Sequence, residues 1–341
     1  MTADVGAINA GRILSRKNAG DVGRKRKDMR IGLLDVDGHN YPNIPLMKLS
    51  AWHKKQGDHV EWYQPLFSGH MDKVYMSKVF SFSPDYEYFI DADEILKGGS
   101  GYCIRTEDGK EIFDKQKDID LPDEIEHIFP DYSIYSNLTT DTAYGFLSRG
   151  CPRGCSFCHV AAKEGRRSHK VADLSEFWSG QKKIELLDPN ILASAECSDL
   201  LDQIIHSGAS VNFNQGLDIR FMTEEKAHKL SQIQIYAIHF AWDKYEDKDL
   251  IQDKFKDFRK ISKIRDKDLQ VYCLVGDRER RILDQDLERI YWLRDNGFAP
   301  YVMIYNKEEL PKGHELIKLQ RWVNNRFIFW STKTFEEYKR R

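Results

Sequence analysis

At 341 residues the chain exceeds the usual single-domain length, so one large or two unequal domains are expected. Hydrophobic residues make up 41% and charged residues 31%, a soluble globular balance; no apolar run reaches a membrane span and no secretory h-region opens the chain, so no membrane partner is expected. The formal net charge of −2 gives no general pull toward nucleic acid, and Cys103, Cys197 and Cys273, scattered singly, fit a cytoplasmic protein better than a disulfide framework.

Residues 1–28 mix small, polar and basic residues around Arg24-Lys-Arg-Lys27 and read as a basic flexible tail, either solvated or touching phosphates without sequence specificity. The pattern changes at Met29. Ile31-Gly-Leu-Leu-Asp-Val36 has buried-strand character and ends at Asp37-Gly-His39; Ile44 to Gln56 is helical in composition, and Gly57 stops it. His59–Tyr63, Lys73–Phe80 and Glu94–Tyr102 read as further strands, the last ending in the glycine-rich turn Gly98–Gly101. Strand, helix and strand at this spacing predict a Rossmann-like parallel sheet over 29–107, with ligands near His39 and Gly98–Gly101, beyond the strands' carboxyl ends. Residues 108–142, charged and then turn-rich with Leu121-Pro122 and Phe129-Pro130, are expected to connect this domain to the next across the surface.

The run Tyr144–Arg149 reads as a strand delivering a loop to the rim of a barrel. In that loop, Gly150-Cys-Pro-Arg-Gly-Cys-Ser-Phe-Cys158, Cys151, Cys155 and Cys158 stand on a C-x3-C-x2-C spacing. Thiolates this close suit an iron–sulfur cluster, or zinc with His159 as a fourth ligand; the bland readings are buried cysteines or a disulfide with a spare thiol. Three local thiolates would leave one iron of a [4Fe–4S] cluster open. With Phe157 in its aromatic position, the loop resembles the cluster loop of the radical S-adenosylmethionine (SAM) superfamily. That resemblance implies a [4Fe–4S] cluster on the three cysteines, SAM chelated at the open iron, its reductive cleavage to a 5′-deoxyadenosyl radical, and an electron donor such as flavodoxin or ferredoxin. The N-terminal half is similar to the cobalamin-binding-type domain of one branch of that superfamily, which would make radical methylation the outcome were cobalamin bound. Asp37-x-His39 resembles the start of the D-x-H-x-x-G cobalamin loop, but Pro42 stands at the glycine position, so a cobalamin-free scaffold is the expectation. The methylthiotransferase branch carries extra N-terminal cysteines where this chain has only Cys103.

Beyond the loop, strands and helices alternate. Lys163–Lys170 is basic and is expected to cover the cluster as a loop. Lys183–Leu187, Val211–Asn214, Ile233–Trp242, Leu269–Val275 and Tyr301–Tyr305 read as strands; Ser198–Ser207, Thr223–Ser231 (capped by Thr223), Lys248–Arg265 and Leu283–Asn296 read as helices. With the strand before the loop this gives six βα units over 143–310, the number in the superfamily's partial barrel. The fold class is therefore α/β: an N-terminal Rossmann-like parallel-sheet domain followed by a partial (β/α)6 radical-SAM barrel. Residues 311–341 form a C-terminal cap in which Phe327, Phe329 and Trp330 are expected to pack a core.

Polar residues at strand ends are the candidates for holding SAM, beside Phe157. Asp188 and Asn190 stand where the family has a glycine-rich segment at the methionine amino group. Asn214, Gln215, Asp218 and Arg220 form the densest polar group; a carboxylate suits ribose hydroxyls or an ammonium, and a guanidinium suits the methionine carboxylate. Asp243 follows, and the run into Gly276 resembles the apolar segment that packs on adenine, with Met303–Tyr305 offering backbone bonds to its edge. The substrate is open. The competing reading is a zinc- or cluster-bearing nucleic-acid-binding module without catalysis, in which Arg149, Arg153, Arg166 and Arg167 grip phosphates; the same cations equally suit a cluster's negative charge.

Overall fold

The structure, a computed structural model, describes residues 28–107 and 110–339; the expected basic tail, Asp28 apart, lies outside them. Contacts divide the chain into two units, one running through Tyr144 with Ser175–Ser179, the other Gly145–Leu174 with Gly180 onward.

Unit 1 is built on β1 (Arg30–Asp35), α1 (Ile44–Lys55), β2 (His59–Trp62), β3 (Met71–Ser77) and β4 (Ala92–Gly98). The strands are all parallel, in the order β2-β1-β3-β4. β1 and β3 are near-continuous apolar runs because both faces are covered: Ile31, Leu33 and Tyr75 pack with Leu46 and Leu49 of α1, while Leu34, Val74 and Met76 pack with Tyr63 and Met71. α1 starts at Asn43, whose Oδ1 accepts the Leu46 N–H at 3.2 Å. Buried His53 fastens the helix to the sheet through Asp58 at 2.7 Å and the Tyr75 hydroxyl at 2.9 Å.

The last strand ends at Gly98 and the glycine-rich turn follows it as expected, Ser100–Cys103 forming a helical turn. One expectation for this half needs correction: 108–142 is not a bare surface connection. Its Lys110–Phe113 pairs antiparallel with Ile104–Glu107, Ile125 and Tyr135 are buried, and Tyr135 donates to Asp35 Oδ2 at 2.6 Å. These anchors are lone apolar residues among charges, with no periodicity for a sequence reading to detect.

Numbering those two short strands β5 (Ile104–Glu107) and β6 (Lys110–Phe113), the chain continues with β7 (Thr142–Gly145), β8 (Ser148–Arg149), β9 (His169–Lys170), β10 (Lys183–Leu186), α2 (Cys197–Ser207), β11 (Ser210–Leu217), α3 (Glu224–Leu230), β12 (Gln234–Ala241), α4 (Lys248–Ile261), β13 (Leu269–Val275), α5 (Asp284–Asp295), β14 (Ala299–Ile304) and α6 (Glu315–Asn324). The larger sheet has the order β7-β10-β11-β12-β13-β14, parallel from β10 to β14. Each strand neighbours the next strand of the same sheet in sequence, so crossovers of one hand would all fall on one face. Side chains alternate accordingly. Ile184, Val211, Phe213, Ile238, Phe240, Val271 and Cys273 are buried, with Phe240 edge-on to Phe255 and Phe258 of α4 at 5.5 and 5.3 Å. Glu185, Asn214, His239 and Tyr272 are only partly covered. Thr223 caps α3 as expected, accepting the Lys226 N–H at 3.3 Å.

The structure also corrects three readings here. The run 144–149 splits, β7 ending at Gly145 and Ser148–Arg149 pairing antiparallel with His169–Lys170. Lys163–Lys170 is therefore no mere loop: it completes the short helix Val160–Glu164 and supplies β9. In the cap, the helix Arg326–Ser331 turns only one face inward, so Phe329 is buried against Trp322 while Phe327 and Trp330 are 90% and 51% exposed. Among the described residues no helix is long and apolar enough to cross a membrane.

Candidate metal centre and cofactor rim

The three-cysteine loop follows β8, and its path depends on two glycines. Gly150 has φ +85°, and a Cβ there would lie 2.2 Å from the Arg167 carbonyl oxygen; Gly154 has φ +55°, with the Arg166 guanidinium 2.9 Å from where its Cβ would be. The Cys151 N–H donates to Gly165 O at 3.2 Å. Glu164 accepts from the Gly150 N–H at 3.0 Å and from Arg149 Nη1 at 2.8 Å, and the Arg149 guanidinium lies 3.8 Å over the Phe146 ring. The Cys158 N–H donates to Cys155 O at 3.1 Å, making a tight turn that carries half-buried Phe157. Cys151 and Cys155 are half-buried and Cys158 is exposed. Burial pushes the Cys155 thiol up, the Asp243 carboxylate and Cys151 reinforcing the shift and Arg153 opposing it.

Strand-end residues hold this loop. Buried Asp188, just beyond β10, accepts from the Leu147 N–H at 3.1 Å and the Ser148 hydroxyl at 2.6 Å, which turns the chain out of β7; burial pushes its carboxyl up to about 6. Asn190 is almost fully buried, its Nδ2 3.6 Å from Cys151 Sγ and its Oδ1 3.4 Å from the Asp218 N–H. Both carboxylate oxygens of Asp218 receive Arg220, Nε at 2.6 Å and Nη2 at 3.1 Å. Arg220 Nη1 donates to Asp247, which also takes Arg153 Nη2 at 3.3 Å. Asp243, after β12, accepts the Leu274 N–H at 3.2 Å, and burial raises its pKa.

Arg220 is thus committed to two carboxylates rather than free for a ligand carboxylate. Gly276 also differs from expectation: a Cβ there would meet Leu316 Cδ1 at 2.9 Å, so the close approach it permits is that of α6. Asn214 offers its carbonyl to the Tyr272 hydroxyl at 3.2 Å, and Gln215 is exposed within β11. The Tyr305 N–H donates to Val275 O and its carbonyl accepts from Arg280, so that backbone is already used.

Sequence reading missed Asp247, Glu164 and Arg289. Buried Arg289 of α5 pairs with Asp286 at 2.7 Å and donates to the carbonyls of Asp243 at 3.0 Å and Leu274 at 2.9 Å, fixing the ends of β12 and β13 from below. No motif marks it; its only trace in the sequence is an acid and a base three apart on a helix.

Among the described residues, no three His, Cys, Asp or Glu side chains converge on one ion-sized point. Burial also pushes the Cys158 thiol up, with Cys155 and Cys151 reinforcing the shift.

The fold is therefore a mixed α/β architecture of two parallel sheets, with a three-thiol loop tied to the strand ends of the larger. No protein-family model and no curated protein sequence matches the chain. Among solved structures it is similar to the radical S-adenosylmethionine methyltransferase TsrM from Kitasatospora setae with cobalamin and a [4Fe–4S] cluster bound, at a TM-score of 0.55 and 11% identity over 82% of this chain and 75% of that one. It is also similar to the same enzyme with tryptophan substrate and the SAM analogue aza-SAM, at a TM-score of 0.50 and 11% identity over 81% and 72%. At that identity the likeness is one of fold.

Proposed function

We propose that this chain is a radical SAM enzyme, with a [4Fe–4S] cluster on Cys151, Cys155 and Cys158 and SAM on the rim formed by Phe157, Asn190, Asn214, Gln215, Asp218, Arg220 and Asp243. The observation that carries the reading is the three-thiol loop anchored by Asp188 and Asn190 to the ends of consecutive parallel strands. Bound there, the cluster would supply an open iron for SAM and the electron that cleaves its sulfonium. The chain's own residues place and tune. Asp188 fixes the loop's entry, the Asn190 amide offers an N–H to the Cys151 sulfur, and Arg153 favours the Cys155 thiolate against the burial that disfavours it. Asp218 and Asp243 offer carboxylates to the ribose or ammonium of a nucleoside-bearing amino acid.

We infer that the enzyme works without cobalamin. In the sheet order of unit 1, the crevice for a ligand lies beyond β1 and β3. There the Asp37 carboxylate accepts from the Val79 N–H at 2.5 Å and the Phe80 N–H at 3.3 Å, closing one loop on the other. The glycine turn is pressed onto the same segment: a Cβ on Gly99 would stand 2.3 Å from Lys78 O, and one on Gly101 2.7 Å from Phe80 O. His39 stands edge-on to Trp62 at 4.2 Å. These contacts and Pro42 speak against a corrin in the crevice, and methylation through cobalamin is not assigned.

The test is anaerobic reconstitution of the wild type and of the variant with all three loop cysteines changed to alanine. Four irons per chain, cleavage of SAM to 5′-deoxyadenosine and methionine under dithionite, and loss of both in the variant are expected, with no binding of hydroxocobalamin by absorbance. A wild type that takes up only zinc would overturn the proposal.

A further inference from the structure

One face of the larger sheet is covered by helices: Phe240 packs on α4, and Val275 and Val302 pack with Ile290 of α5 and Leu316 of α6. On the opposite face the register sets Glu185 of β10 beside Asn212 of β11, His239 beside Gln270, and Tyr272 beside Tyr301. Val211 pairs with Ile235 but Asn212 with Ala237, so Tyr236 is the extra residue of a bulge, a device that re-aims a side chain. Its hydroxyl donates to Glu185 Oε1, and Asn212 Nδ2 donates to Glu185 Oε2 at 2.8 Å. Partly buried Glu185 is thus held by two neutral donors and makes no ion pair among the described residues. Lys183 stands instead over the Tyr236 ring, its Nζ 5.7 Å from the centroid. His239 brings no counter-charge either, because burial lowers its pKa against the Phe213 carbonyl that its Nδ1 meets at 2.8 Å. Asn212 is only 9% exposed, and its Oδ1 is buried without a hydrogen-bond partner. Glu185 decides which end of that amide is which, since a flipped amide would set oxygen against oxygen.

This face therefore lacks a positive charge for Glu185 and a hydrogen for Asn212 Oδ1, and one ammonium group supplies both. In a proposal that rests on the radical SAM reading for its chemistry but not for its geometry, we propose that Glu185 and Asn212 select a substrate carrying a protonated amine on an aromatic or apolar body. The amine donates one hydrogen to the carboxylate and another to the amide oxygen. The body lies along Tyr272, which stacks on His239 at 5.2 Å and stands edge-on to half-exposed Tyr301 at 5.8 Å. Glu185 precedes Asp188 by three residues, so at about 3.3 Å per residue the amine is anchored within about 10 Å of the rim. An alcohol would satisfy Asn212 but leave the charge of Glu185 unmatched, and an acid would be repelled. A metal ion would find too few oxygens: no three His, Cys, Asp or Glu side chains converge there among the described residues.

The test is equilibrium dialysis of phenethylamine and of 2-phenylethanol, the same body with a hydroxyl for the amine, against the reconstituted holoprotein and its E185Q variant. The wild type is expected to hold the amine about tenfold or more tighter than the alcohol, the worth of one charge-assisted hydrogen bond. E185Q, of the same shape, should lose that preference while its affinity for the alcohol stays within about twofold. Equal affinity of the wild type for the two probes overturns the proposal, as does binding of neither up to about 10 mM or an E185Q that keeps the preference. Should E185Q fail to fold, N212L keeps the carboxylate and removes the amide oxygen, and unchanged amine affinity there overturns the proposal equally. Iron content and dithionite-driven SAM cleavage are measured on the same samples. Their failure in the wild type counts against the catalytic reading, whereas the amine preference still decides the site.

Discussion

Gly150 offers the sharpest test of how the three-cysteine loop is held. Gly150 and Gly165 flank the same contact and share the left-handed region, at φ +85° and +92°, yet their surroundings differ: a Cβ on Gly150 would stand 2.2 Å from the Arg167 carbonyl oxygen, whereas one on Gly165 meets nothing within 4 Å. Alanine at either position incurs about 1–3 kcal/mol of backbone strain. At Gly150 a further ~1–3 kcal/mol of overpacking adds to it, because the obstacle is backbone and cannot rotate away. Making room requires a shift of about 1 Å next to Cys151, a displacement large enough to spoil a preorganised site. G165A should therefore lose about 1–3 kcal/mol in urea unfolding and load iron normally. G150A should lose about 2–6 kcal/mol and, after reconstitution, hold well under half the wild-type iron and sulfide. Equal costs for the two variants, or full iron loading in G150A, would refute the view that close backbone packing sets the loop.

Three further outcomes are expected. Burial pushes Asp188 up to about 6 in the fold against about 3.8 unfolded, so the native state keeps a proton the unfolded chain has lost and its stability falls as pH rises through that window; D188N, which cannot ionise, should gain on wild type by about 2 kcal/mol between pH 4 and pH 7 in urea titrations, and a pH-independent difference would contradict this. Arg289→Met leaves Asp286 as a buried, unpaired carboxylate and strips the strand-end carbonyls of a donor, for an expected loss of about 3–5 kcal/mol; a loss below about 1 kcal/mol would show that the pair does not hold β12 and β13. Gly276→Ala should lower the thermal midpoint by pushing α6 while leaving SAM affinity within about twofold, and an affinity loss without destabilisation would restore the adenine role.

Much of the architecture was legible because the signals were local and periodic. Leu269–Val275 was read at its observed limits, and Thr223 was named as the cap it proves to be, since a hydroxyl before Glu224-Glu225 has few other uses. The three thiols were legible as a group for a different reason: spacing alone gathers three residues of one loop. The rim was harder, because which partner a side chain meets depends on distant strands. Arg220 reads as a free guanidinium until Asp247, 27 residues on, is seen to face it, and Gly276 reads as ligand space until α6 arrives against it. The cap failed for the converse reason. Phe327, Phe329 and Trp330 have equal hydrophobicity on paper, and only the helix's orientation decides that one is buried.

The rim's charge pattern bears on how a zwitterionic ligand would be received. Asp218 and Asp247 hold Arg220 between them, and Arg153 shares both acids, its Nη2 3.3 Å from Asp247 and its Nε 3.5 Å from Asp218. That Nε atom is buried and makes no hydrogen bond, as is the Nε of Arg289 beneath the neighbouring strand ends. A buried donor without an acceptor costs about 1–3 kcal/mol. A carboxylate seeking Arg220 would have to break its two-pronged pair with Asp218 first. Arg153, between Cys151 and Cys155, thus ties the three-cysteine loop to the same two acids that hold Arg220.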